Sequence, residues 1–87
     1  MTIYIYPRYR RSFNNLNSQL QRLADERVEI FRRNPFDSHL ETHHLHGKLK
    51  KQWSFSVDQR YRILFEFLGK KKDRVVFLDI GDHSIYR

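Results

Sequence analysis

Arg62 stands mid-way along a run, Arg60 to Phe67, in which polar and apolar residues mostly alternate. A charge there is costly unless it faces solvent or a ligand. A guanidinium held by a strand is rigid enough to grip a phosphate through two hydrogen bonds. The competing use is an ion pair with Glu66, its second neighbour on the same face. Further on, Gly81 breaks a later apolar run, and His83 and Tyr86 follow within the closing GDHSIYR. An imidazole that passes a proton and an aromatic ring that stacks on a base suit RNA chemistry. The opposing reading is a frayed terminus, although Ile85 and Tyr86 are not polar filler.

Two further groups of side chains carry charge or protons. Lys48, Lys50 and Lys51 lie just before a strand-like run, where they either hold phosphates or solvate the strand's start. Lys70, Lys71 and Lys72 fall at a hairpin tip and read as solvating. His39, His43, His44 and His46 crowd one loop-like stretch. His39 and His43 would share a metal if they lay on a helix. The stretch lacks a helical pattern, and no third ligand stands at a recognised spacing. The expectation is therefore no metal and no cofactor, with proton transfer by these histidines left open.

These residues need a scaffold, and the apolar pattern supplies one. Between Leu45 and Phe67 two period-two runs predict a hairpin. Trp53, Phe55 and Val57 share one face with Tyr61, Ile63, Phe65 and Phe67. Ser54, Ser56, Arg60, Arg62, Leu64 and Glu66 take the other face, which becomes the floor of any site. Residues 2–6, TIYIY, predict a first strand that stops at Pro7, with Ile3 and Ile5 on one side. It is either an edge strand or a parallel partner of the last strand. A short helix from Pro7 to Asn14 follows, with Arg8, Arg10 and Arg11 outward and Tyr9 and Phe13 inward.

Leu20, Leu23, Ala24, Val28 and Phe31 recur at three- and four-residue steps and predict a helix ending at Arg33. Ser18 and Gln21 have capping-box spacing at its start, and Asn34-Pro35 ends it. Residues 34–51 read as a loop with at most a helical turn, and Arg74–Ile80 as a final strand. The expected fold is α+β, with two N-terminal helices on one face of a small, mostly antiparallel four-stranded sheet in the order β-α-α-β-β-β.

Composition narrows the partners. The 87 residues predict one domain, 1–87, with a small core. Seventeen Lys and Arg against ten Asp and Glu give a net charge of +7, which favours a nucleic acid or an acidic protein segment. Cysteine is absent, which fits a reducing cytoplasm. No apolar run is long enough to span a membrane, and the N-terminus places apolar residues before charges, the reverse of a signal peptide.

Over nearly its whole length the sequence resembles the RelE/ParE superfamily of small bacterial toxins from toxin–antitoxin pairs. The resemblance rests on RRNPFDSHLETHHLHGKLKKQWSF, on YRILFEF and on LDIGDHSIYR. Its RelE branch implies a ribosome-dependent endoribonuclease that cuts mRNA without metal, by attack of a ribose 2′-hydroxyl on the adjacent phosphate. By motif, Arg62 would stabilise the phosphate, His83 would be acid or base, and Tyr86 would stack on or orient the substrate. Lys48, Lys50 and Lys51 would form the phosphate-binding cluster, with His46 a second proton-transfer candidate. The implied partners are a cognate antitoxin, the ribosome and mRNA. The ParE branch implies instead a non-enzymatic inhibitor of DNA gyrase, and a third alternative is an inactive binding module of the same fold.

Overall fold

A computed structural model describes residues 1–47 and 51–86. The elements are β1 (Thr2–Ile5), α1 (Pro7–Asn14), α2 (Ser18–Arg33), β2 (His43–His44), β3 (Trp53–Ser56), β4 (Arg62–Leu68) and β5 (Arg74–Gly81). Single 3₁₀ turns cover Ser38–Leu40 and His83–Tyr86. The sheet order is β1-β5-β4-β3-β2. Among the described residues only the β1–β5 pair is parallel. The first strand is thus both of the things its sequence allowed, an edge and the parallel partner of β5. No helix among the described residues is long and apolar enough to cross a membrane.

Among the described residues the sheet has five strands, not the expected four. The extra one, His43–His44, pairs with Ser54 and Trp53 at the edge of β3. Two residues are too few to show alternation, and histidine has no marked strand preference, so no local signal marks it. The capping of α2 also differs. Asn17 Oδ1 accepts from the Leu20 N–H at 2.8 Å and is the N-cap, while Gln21 Nε2 reaches back to the Phe13 carbonyl at 2.9 Å. Asparagine caps as well as serine, and Asn17 has the extended backbone that a cap needs.

Both helices bury their apolar stripes against one sheet face. Phe31 of α2 is the centre of that core, with its ring 4.6 Å from Phe55, 4.9 Å from Phe65 and 5.6 Å from Phe77. Tyr9, Ala24, Leu40, Val57, Ile63, Val75 and Ile80 complete it. Burial pushes the Tyr9 phenol far above its ordinary range, with the Asp25 carboxylate acting in the same direction. Polar ties fix the helices to the sheet. Arg27 Nε donates to the Val57 carbonyl at 3.1 Å, and the Ser12 hydroxyl donates to Asp79 Oδ1 at 2.6 Å.

The other sheet face carries more than the single leucine, Leu64, that the hairpin alone places there. Leu64, Val76, Leu78 and Ile85 form a second apolar cluster, flanked by Leu45, Leu68 and Tyr86. A register shift contributes to it. Leu64 pairs with Asp79 but Phe65 pairs with Phe77, so Leu78 is passed over in the ladder and buries itself in this cluster. The C-terminal turn folds back over the face and covers it with Ile85.

Candidate functional site

The spare sheet face carries a polar array built on two buried serines of β3. Ser54 is fully buried and Ser56 nearly so. The period of two puts both on the same side, and antiparallel pairing sets Ser56 opposite Arg62 and Ser54 opposite His43. Arg62 Nη1 donates to the Ser56 hydroxyl, and that hydroxyl donates to Glu41 Oε1 at 3.2 Å. Arg62 is therefore tied to the carboxylate of Glu41 through a hydroxyl, and the ion pair with Glu66 that the sequence allowed does not form. The remaining guanidinium donors keep capacity for a phosphate.

A second chain of hydrogen bonds runs through Ser54. The Tyr86 hydroxyl donates to Ser54 Oγ at 3.1 Å, and Ser54 Oγ lies 3.5 Å from His43 Nε2. The tautomer follows from the other side of the ring. His43 Nδ1 lies 3.1 Å from the Glu41 carbonyl, which can only accept, so Nδ1 carries a proton and Nε2 is the nitrogen toward Ser54. The resulting path of contacts, Tyr86 to Ser54 to His43, crosses the sheet face. Glu41 serves both chains, one with its carboxylate and one with its backbone oxygen. It holds the left-handed conformation at φ 51°, which is strained for a residue with a Cβ.

The tail is brought to this face by a specific close approach. A Cβ on Gly81 would stand 2.6 Å from Cγ2 of Ile85, so only glycine lets Ile85 settle on the sheet. Asp82 then caps the turn by accepting from the Ser84 N–H at 3.0 Å. That hydrogen bond holds the Asp82 carboxyl below the usual carboxylate range. Replacing Gly81 with alanine is expected to lift Ile85 and loosen Tyr86 from Ser54. The variant should lose about 1–3 kcal/mol of stability, as overpacking typically costs. Urea denaturation measures this, and a midpoint equal to that of the wild type would contradict the packing described.

The sequence candidates fall into place unevenly. Arg62 and Tyr86 are joined to neighbouring serines on β3. His83 is exposed, with its ring 6.4 Å from that of Tyr86. It lines a separate cavity of about 430 Å³ with Gln59, Arg60, Asp82 and Ser84. His46 is exposed, 5.8 Å from the His44 ring, and Lys51 is exposed in the turn before β3. Lys48 and Lys50 lie outside the described residues. No group of three or more His, Cys, Asp or Glu among the described residues could hold a metal.

Sequence reasoning gave no role to Glu41, and none to Ser54 and Ser56 beyond a place on the spare face. His43 was weighed only as a metal ligand or as one of several proton carriers. The available signal was spacing, since Glu41 and His43, like Ser54 and Ser56, are two apart.

Beside the array runs a groove of about 440 Å³, floored by Leu64, Leu78 and Ile85 and walled by Arg8 and Arg11 of α1. Gln52 also lines it, and its Oε1 is buried without a hydrogen-bond partner. A buried acceptor left unmatched is costly and is readily satisfied by a ligand's N–H.

No family model matches the sequence, and no curated protein matches it. Solved structures do match in fold. A YoeB/ParE toxin from Agrobacterium tumefaciens superposes with a TM-score of 0.79 at 14% identity, covering 95% of this chain and 99% of that one. YafQ from E. coli gives 0.77 at 11% identity, over 97% and 94% of the two chains. The RelBE2 toxin–antitoxin complex from Mycobacterium tuberculosis gives 0.76 at 19% identity, over 94% and 96%.

Proposed function

From the fold that this chain shares with the RelE/ParE toxins, we propose that it is the toxin of a toxin–antitoxin pair and acts as a ribosome-dependent, metal-independent mRNA endoribonuclease. One observation carries this reading. Arg62 is joined through Ser56 to Glu41, and Tyr86 through Ser54 to His43, on a single sheet face. A gyrase inhibitor that works by binding has no evident need for a proton-transfer group.

The reaction is transesterification at phosphorus. The ribose 2′-oxygen forms a bond to the adjacent phosphorus, the bond from phosphorus to the 5′-oxygen breaks, and the upstream product ends in a 2′,3′-cyclic phosphate. The 2′-hydroxyl replaces the Ser54 hydroxyl, 3.5 Å away, at His43 Nε2 and gives up its proton there. Tyr86, at the other end of the same path, orients the substrate by stacking. Arg62 neutralises the charge that grows on the phosphoryl oxygens, with donors already fixed before the reaction starts. His83 supplies the proton to the departing 5′-oxygen. Lys48, Lys50, Lys51 and His46 attract the flanking phosphates, so binding weakens as salt rises. The groove beside the array accepts the neighbouring nucleotide, with Arg8 and Arg11 toward its phosphate and Gln52 toward a base N–H.

The partner is an antitoxin that covers this basic face with an acidic or amphipathic segment, as the RelBE2 structure is a toxin–antitoxin complex. Expression without such a partner should arrest growth, with mRNA cut on translating ribosomes and no accumulation of gyrase–DNA complexes. Gyrase–DNA complexes with intact mRNA would support the ParE alternative, and unimpeded growth the inactive module.

A further inference from the structure

At the end of β3 and β4 opposite Arg62, beside Ser54 in the chain, lies an aromatic box that the proposed reaction does not use. Phe36, Trp53 and Phe67 form three walls. Phe36 meets Trp53 at 75° with centroids 5.6 Å apart, and Trp53 meets Phe67 at 83° and 5.4 Å. Phe36 and Phe67 lie nearly parallel, 5.9 Å apart. The ammonium of Lys72 stands 5.9 Å from Phe36, 5.6 Å from Trp53 and 5.4 Å from Phe67. All three distances fall within the range in which a ring face attracts a cation.

Two features indicate that the box is a cation site and not merely a margin of the core. Phe36 is 49% exposed, so the box is open to a ligand from solvent. Lys72 holds φ 57°, the left-handed conformation that side chains rarely adopt, at the residue whose side chain lies over the box.

The structure assigns Phe36, Trp53 and Phe67 as a binding site for an alkylammonium group, filled in the free chain by its own Lys72. A partner protein that presents a lysine or methylated lysine at this edge competes with Lys72 for the box. Such rings favour methylated ammonium, because methylation spreads the charge and lowers the cost of leaving water.

Trp53 is the sole tryptophan, so its fluorescence reports the box directly. The probe is tetramethylammonium chloride, with sodium chloride at equal ionic strength as the control. Lys72→Gly removes the tethered occupant and suits a positive φ, so its backbone is relieved, not broken. Lys72→Gly should show a saturable change in Trp53 emission, at a tetramethylammonium concentration at least about five-fold below that for the wild type. The double variant Lys72→Gly/Phe36→Ala should lose the response. In the wild type the Lys72 ε-methylene protons should be shifted upfield by the rings, and Phe36→Ala should reduce that shift, since Trp53 and Phe67 remain. Equal responses in wild type and Lys72→Gly, a response matched by sodium chloride, or unshifted Lys72 methylene protons would each overturn the assignment.

Discussion

Arg62→Ala is expected to cut mRNA cleavage on translating ribosomes by about 10²–10³-fold while leaving the chain folded. The magnitude is that of removing one preorganised donor from a site where charge develops on oxygen. The fold should survive because Arg62 is tied to polar neighbours at the rim and not to the phenylalanine core. Its loss leaves Ser56 still donating to Glu41, so no buried hydroxyl is orphaned. The stability change should stay within about 1 kcal/mol, the usual range for a partly exposed charged contact. Arg62→Lys separates charge from geometry. Lysine keeps the positive charge but presents no planar fork, so it should recover only part of the lost rate. Cleavage by Arg62→Ala at the wild-type rate would remove Arg62 from the site. A large drop in its unfolding midpoint would assign it a structural part instead.

The second large effect is on stability. Phe31→Ala should destabilise the chain by about 3–5 kcal/mol, as is typical for truncating a buried phenylalanine. Phe31 is fully buried, and its ring touches those of Phe55, Phe65 and Phe77, which come from three different strands. Truncation therefore opens a cavity at the one point where α2 meets all three. A chain of 87 residues has a total stability of about 4–13 kcal/mol, so the loss is a large part of the whole. Urea denaturation should show the variant mostly unfolded or with a midpoint far below that of the wild type. A near-wild-type midpoint would mean that the two layers are held by something other than this ring cluster.

The contrast between these two residues explains what was legible in the sequence. Phe31 recurs in a helical period, and Phe55 and Phe65 in a strand period, so the core could be named from spacing alone. The helix bounds were equally readable, because Pro7 and Asn34-Pro35 act locally. Arg62 was conspicuous as a charge inside an apolar run.

What could not be read depends on register. That Arg62 meets Ser56 and Ser54 meets His43 follows from the exact register of neighbouring strands, and that Tyr86 reaches Ser54 from a return of the chain across 32 residues. The short strand at His43–His44 has no propensity signal, yet it is what carries His43 to the array. The return of Ile85 onto the sheet depends on a close approach at Gly81, which sequence shows only as a break. His83 was the more visible histidine because it follows that glycine, but the hydrogen bonds join His43, and not His83, to the serine beside Tyr86.

The most direct measurement maps the ends of mRNA cut on programmed, translating ribosomes by the purified protein, wild type against Arg62→Ala and His43→Ala. Upstream fragments should carry 2′,3′-cyclic phosphate ends and downstream fragments 5′-hydroxyl ends. Both should fall by at least about 100-fold in each variant, as loss of a positioned base or charge-stabilising donor requires. Intact mRNA with the wild-type protein, or undiminished cleavage by both variants, would contradict the proposed reaction.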